Sequence, residues 1–150
     1  MQLKHFYFAL ILVFFTNCNS TNKNTEQDII PYSIAEHYFV KNDIEDKLLE
    51  LTINTQEDFD KYFGMATVMG EGGRPTDIDF DKQYVIAIIL PSSQNAASVS
   101  VTKLSEQENS LKIEYHVTKG EEQSFTSRTP LLLILDKEYS EKAIFEQKPI

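Results

Sequence analysis

The chain has 150 residues, of which 41% are hydrophobic and 25% are charged, so it is long enough for one compact domain and too short for two ordinary ones. It carries 14 basic and 23 acidic residues, and the formal net charge of -9 argues against a protein that binds nucleic acid by neutralising phosphates. With one cysteine and three histidines, the chain has neither an internal disulfide nor a multi-cysteine metal site. We therefore expect no cofactor, no bound metal and no nucleic-acid partner.

The first 17 residues have the pattern of an export signal. A basic start at Lys4 is followed by ten unbroken apolar or aromatic residues, 6–15. At about 1.5 Å per residue, ten helical residues cover roughly half of a hydrocarbon core near 30 Å thick, so this segment is too short to span a bilayer. The pattern predicts a cleaved signal peptide over residues 1–17.

The single cysteine, Cys18, lies three residues beyond this apolar run. Its position resembles that in bacterial lipoprotein signals of the Bacteroidetes type, in which the cysteine becomes the lipid-modified first residue. The alternative is a plain secretory signal with an incidental cysteine. Because an unpaired thiol is a liability in an oxidising compartment and acylation removes it, we predict lipidation of Cys18. The expected location is the bacterial cell envelope, at the outer membrane.

A polar tether follows the lipidation site. Residues 19–28 include no hydrophobic side chain, so they cannot contribute to a core. We predict a lipidated tether over residues 18–30 and a single domain over residues 31–150.

The surest predicted helix is short and lies over residues 55–63. Thr55 can cap it, Asp58 stands three residues later, and Gly64 is expected to end it. Three aromatic side chains share one face and should cover a sheet: Phe59, Tyr62 and Phe63.

A glycine-rich segment, residues 70–76, comes next. It ends in Arg-Pro-Thr and lacks the Gly-Lys-Ser/Thr ending of a phosphate-binding loop, so we predict a mobile surface loop. Arg74 is a cation on a loop of an acidic protein, and it is the candidate contact with a partner. The alternative is a solvated arginine.

Alternating carboxylates at Asp77, Asp79 and Asp81 suggest calcium at first sight. An EF-hand loop would have glycine at the sixth position and glutamate at the twelfth, where this chain has Lys82 and Ile88. We interpret the segment as a lead into the next strand, with the acids outward and the two apolar residues between them inward.

The remaining chain is typical of β-structure. Residues 84–90 and 131–135 are unbroken apolar runs, which predict central strands covered on both faces. Residues 98–102 and 111–118 alternate between apolar and polar, which predicts an antiparallel pair joined by a loop at 105–110. Further strands are expected at 34–40, 49–53 and 143–147. The predicted fold class is α+β, a mainly antiparallel sheet or small β-sandwich with one short covering helix.

Catalytic chemistry is poorly supported by the residues after the predicted signal. His37 and His116 are the available histidine bases, both fall in predicted strands, and no Gly-x-Ser-x-Gly motif occurs. We therefore predict that the protein is not an enzyme, and a hydrolase is the third-ranked hypothesis.

Three motifs occur in a suggestive order: residues 55–63 (TQEDFDKYF), 78–87 (IDFDKQYVIA) and 128–134 (RTPLLLI). They resemble the PrcB-like family of bacterial lipoproteins, over about residues 50–137. The resemblance implies a domain that stabilises a secreted protease complex. We accordingly expect a non-enzymatic envelope lipoprotein that binds or stabilises another envelope or secreted protein, and the alternative is a module that binds a small ligand or glycan.

Overall fold

The computed structural model describes residues 30–70 and 72–149. The predicted signal peptide, the lipidation site Cys18 and residues 19–29 of the tether lie outside the described residues. Ile30, which we expected at the end of the tether, is buried in the core, so the folded part begins no later than this residue. Within the described residues, no helix is both long and apolar enough to cross a bilayer.

The described residues are mostly β-structure with one short helix. In chain order the elements are β1 (Ser33–Ile34), β2 (Tyr38–Val40), β3 (Leu49–Ile53), α1 (Gln56–Tyr62), β4 (Phe63–Met65), β5 (Gln83–Ile89), β6 (Ser93–Gln107), β7 (Ser110–Ser127), β8 (Pro130–Asp136) and β9 (Ala143–Gln147). This arrangement confirms the predicted α+β class.

A central antiparallel sheet has the strand order β1-β8-β5-β3. Every residue from Tyr84 to Ile89 in β5 is fully buried, which confirms that the apolar run is a strand covered on both faces. Alternate residues of β5 point to opposite faces, so Ile86 and Ile88 enter one hydrophobic cluster while Val85 and Ala87 enter another.

On one face lies a second sheet, the ribbon sheet, with the order β6-β7-β9. Strands β6 and β7 form the predicted antiparallel hairpin, but the loop is only two residues long, and Glu108 adopts a left-handed φ of 53°. The strands are 15 and 18 residues long. The halves of these strands that lie away from the two-residue loop are largely exposed and polar. The sequence therefore shows no alternation of apolar and polar residues there. Strand β9 pairs with β7 in parallel.

The other face of the central sheet is covered by α1 and by a small sheet of β2 and β4. The Asp58 N–H donates to Thr55 Oγ1 over 3.1 Å, and Phe59 is buried, as predicted. The helix ends just before Gly64, as expected, but Phe63 is its C-cap, and Gly64 lies in β4, where a Cβ would collide with the ring of Phe39. A glycine that appeared to end a helix instead makes room for a cross-strand aromatic ring.

The predicted strand over residues 34–40 is divided in two. His37 has a φ of 63° in a bend between β1 and β2, so the chain changes direction there. As a result β1 joins the central sheet through β8, whereas β2 pairs with β4. The prediction that His37 lies in a strand is therefore wrong.

Candidate interaction surface

The most conspicuous surface feature is an apolar loop, residues 65–70 and 72–73, which begins at the last residue of β4 and leads toward β5. Three of its apolar side chains are largely or fully exposed: Met65 at 68%, Val68 at 55% and Met69 completely. Isolated exposed apolar residues are ordinary, but a group of them on one loop is typical of a surface that contacts another molecule. Methionine suits such a contact because its flexible, polarisable side chain adapts to different partners.

Hydrogen bonds hold the base of the apolar loop to the segment before β2. The Ala66 N–H donates to the His37 carbonyl over 2.8 Å where the loop leaves β4. Three residues after the loop, the Thr76 N–H donates to the Glu36 carbonyl over 3.2 Å, and the Glu36 N–H donates to Thr76 Oγ1 over 3.0 Å. Tyr38 adds a hydroxyl bond to the Thr76 carbonyl over 2.7 Å. Both ends of the loop are therefore attached to the same three-residue segment.

The tip of the apolar loop is closed by glycine geometry. The Val68 N–H donates to the Gly73 carbonyl over 2.9 Å, and the Gly73 N–H donates to the Gly70 carbonyl over 3.3 Å. A Cβ at residue 73 would collide with the Val68 carbonyl oxygen, and Gly72 has a left-handed φ of 80°. This closure directs Val68 and Met69 outward. The sequence predicted a mobile surface loop here; the structure places it at the surface with these closing bonds.

Arg74, the predicted partner contact, stands directly after the apolar loop and is exposed. Among the described residues it forms no ion pair. Arginine beside exposed methionine is a composition enriched in protein interfaces, where the guanidinium supplies directed hydrogen bonds and the apolar side chains supply buried area. Gly73, the neighbour of Arg74, accepts a hydrogen bond from the Val68 N–H, so the predicted contact residue adjoins the apolar loop, whose exposed side chains were not predicted from the sequence.

The second arginine, Arg128, has a different environment. Its guanidinium donates hydrogen bonds to four backbone carbonyls, those of Ile44, Glu45, Lys47 and Leu90. It therefore fastens the loop before β3 to the end of β5. In the sequence Arg128 stands out only as part of the third motif, because none of the carbonyls that it binds is near it in the chain.

A groove of about 480 Å³ lies beside Arg128, between residues 39–46 and residues 126–128. Several of its polar side chains, those of Lys41, Asp46, Ser127 and Arg128, already form hydrogen bonds within the protein. Asp46 accepts a hydrogen bond from the Ser92 N–H over 2.7 Å, and this bond lowers the pKa of the Asp46 carboxyl. Phe39 is the one aromatic residue among the described residues that line the groove. A glycan site would be expected to offer several convergent aromatic rings and free polar groups, so the groove gives the ligand hypothesis little support.

The remaining candidate residues are dispersed. His116 is half-buried on β7 of the ribbon sheet, opposite Ser100, whereas His37 lies in the bend between β1 and β2. Asp77, Asp79 and Asp81 are exposed and the apolar residues between them are partly buried, which confirms the predicted alternation. The Asp79 carboxylate accepts bonds from the Asp81 N–H and the Lys82 ammonium. Across the described ranges, no three side chains of the metal-ligating types His, Cys, Asp and Glu are grouped to hold a metal.

Comparison with known proteins gave no match to a family model, to a curated protein or to a solved structure. The resemblance to the PrcB-like lipoproteins stays a prediction.

Proposed function

We propose that the chain is a non-enzymatic lipoprotein of the bacterial cell envelope, anchored through Cys18, whose domain binds and stabilises another envelope or secreted protein. The observation that carries this proposal is the apolar loop. Its exposed methionines and valine, with Arg74 beside them, form a surface that water solvates poorly and that a protein partner would cover.

The local construction of the loop supports association. The bonds to Glu36 and His37 hold the base of the loop, and the bonds among Val68, Gly70 and Gly73 hold the described residues of its tip, which reduces the backbone freedom that would be lost on binding. A preorganised contact of this kind binds more tightly than a disordered one of equal area.

A lipid anchor would add to this affinity. A domain tethered near the membrane meets a neighbouring envelope protein at a raised effective concentration, without any additional contact. An interface of modest affinity is then sufficient for association. A protease complex is the partner class that the PrcB-like resemblance implies.

Site-specific photocrosslinking in intact cells tests the proposal. A photoreactive phenylalanine analogue replaces Met69 in one strain and Ile34 in another, which serves as the control because it is an exposed apolar residue, at 51%, outside the loop. We expect one envelope protein to be crosslinked from position 69 and not from position 34. Equal labelling from both positions, or no protein adduct from position 69, would contradict the proposal.

A further inference from the structure

The sulfur atoms of the described domain all lie on the apolar loop. The chain has three methionines, of which Met1 begins the predicted signal peptide and the other two, Met65 and Met69, belong to the loop. The single cysteine, Cys18, is the predicted lipidation site. Within residues 30–70 and 72–149, the ranges that the structure describes, an oxidant that attacks sulfur therefore has two targets, both on this loop.

Solvent reaches both of these methionine side chains. Met65 is exposed to 68% and Met69 is fully exposed, although methionine is among the residue types that are most often buried. The buried apolar residues of the described domain are Ala, Val, Leu, Ile, Phe and Tyr, none of which carries sulfur. An oxidant dissolved in water can therefore reach the loop, and it finds no thioether or thiol in the described core.

Hydrogen peroxide converts a thioether of this kind into a sulfoxide in one two-electron step. The sulfur lone pair attacks one peroxide oxygen, and the S–O bond forms as the O–O bond breaks. The proton on the transferred oxygen passes to the departing hydroxide, which leaves as water, so sulfur is oxidised and the peroxide is reduced. A dithiol-dependent methionine sulfoxide reductase reverses the change, and it yields the thioether, water and a disulfide.

Oxidation would replace most of the exposed apolar surface of the loop by polar groups. Of the three exposed apolar side chains, only Val68 would stay apolar. A partner seated on the loop would then bury two sulfoxide oxygens, which is unfavourable unless each of them accepts a hydrogen bond. Neither methionine belongs to one of the two hydrophobic clusters of the core. The fold would therefore survive a change that weakens association.

We infer that Met65 and Met69 form a reversible oxidation site, whose oxidation by a peroxide releases the partner protein and whose reduction restores binding. This inference rests on the proposed function, because it names the regulation of the same loop. Its physical basis is that the described domain carries all its sulfur on the surface that would contact the partner.

Peroxide treatment of the mature protein, followed by mass spectrometry, tests the oxidation step. We expect each methionine of the loop to gain one oxygen atom at a rate close to that of free methionine, because solvent reaches both sulfurs. The melting temperature should stay unchanged, since neither side chain packs in the core. A loop methionine that remains unmodified after free methionine is fully oxidised, or a domain that unfolds on oxidation, would overturn the inference.

The regulatory step is measured with the partner crosslinked from position 69, and the peroxide is removed before mixing so that the partner is not oxidised. We expect the oxidised protein to bind roughly tenfold more weakly, an effect of the size seen when a buried interface side chain is lost. Treatment with the reductase and a dithiol should restore the affinity. The Met65→Leu/Met69→Leu variant keeps two apolar side chains without sulfur, so it should bind like the wild type before and after peroxide.

The possible outcomes separate the oxidation site from the proposed function. Equal binding by the oxidised and the reduced protein would overturn the oxidation site and leave the proposed function standing. Weaker binding of the leucine variant after peroxide would also overturn the oxidation site, because the loss could not then come from sulfur in the loop. If position 69 crosslinks no protein, the proposed function fails, and the regulation that depends on it fails with it, whatever the rate of oxidation.

Discussion

Replacing Arg128 with lysine should destabilise the domain strongly although the charge is kept. The guanidinium donates to four backbone carbonyls from two separate segments, and the distances to the Ile44 and Leu90 oxygens are 3.0 and 3.2 Å. A lysine ammonium is a compact donor that cannot reproduce this planar fork and would retain one or two of the four bonds.

The expected magnitude follows from the bonds that are lost. Hydrogen bonds to a charged group contribute about 1.5–3 kcal/mol each, less where solvent reaches them, and Arg128 is only partly buried. Losing two or three of them should cost about 2–4 kcal/mol, out of a total free energy of unfolding of about 5–15 kcal/mol. For a domain of this size the melting temperature should fall by on the order of 10 °C.

The assay is thermal and urea denaturation, and the other arginine of the chain provides the control. Arg74 is exposed and forms no ion pair with a described residue, so Arg74→Lys should change the free energy of unfolding by less than about 0.5 kcal/mol. If Arg128→Lys unfolds like the wild type, or if both variants lose the same stability, the role assigned to Arg128 is wrong.

Three further predictions concern the core, an ion-pair cluster and the anchor. Ile88→Asp places a carboxylate at a fully buried position of β5 and should unfold the domain at a cost of several kcal/mol; an unchanged circular dichroism spectrum and melting temperature would contradict this. Lys112 and Lys148 hold the pKa of the Glu146 carboxyl at about 2, below the unfolded value of about 4.3. The contribution of this carboxylate to stability is therefore complete above about pH 4.5 and is lost as the pH falls toward 2. Wild type should therefore lose more stability across that window than Glu146→Gln, and parallel urea midpoints for the two proteins would refute the assignment. Cys18→Ala should transfer the protein from the detergent phase to the soluble fraction, and a mutant that remains with the membrane would exclude the lipid anchor.

The central strands could be predicted because burial on both faces leaves a local mark. In β5, six consecutive side chains from Tyr84 to Ile89 must all be apolar, so the run is visible without any knowledge of its neighbours. The aromatic face of α1 was visible for a similar reason, since Phe59 and Tyr62 recur at helical spacing.

Features that depend on residues distant in sequence produce no local sequence pattern. Gly64 ends a helix by local rules, but its role in β4 depends on the ring of Phe39, which arrives from another strand. The carbonyls bound by Arg128 lie 38 to 84 residues away in sequence. The outer half of the long hairpin is polar on both faces, so period-two alternation could not identify it.

The apolar loop and Arg74 were predicted only in part, because the loop also depends on contacts between residues distant in sequence. Arg74 was identified as a lone cation on a loop, without its apolar neighbours. Met65 lies in β4 opposite Tyr38, and Met69 lies in the loop that the Gly73 bonds close, so the placement of both depends on contacts between separate parts of the chain. Local composition alone gave no reason to place these methionines in solvent.

Stoichiometric association through the apolar loop can be measured by titrating the purified mature protein with the partner crosslinked from position 69. We predict saturation at a fixed stoichiometry without chemical change in the partner, at least tenfold weaker binding for the Val68→Ser/Met69→Ser variant, and unchanged binding for the Ile34→Ser control. The loop variant should keep its melting temperature, since both side chains are exposed. Equal affinity of all three proteins would contradict the account, and so would catalytic turnover of a substrate that His37→Ala or His116→Ala abolishes without unfolding the protein.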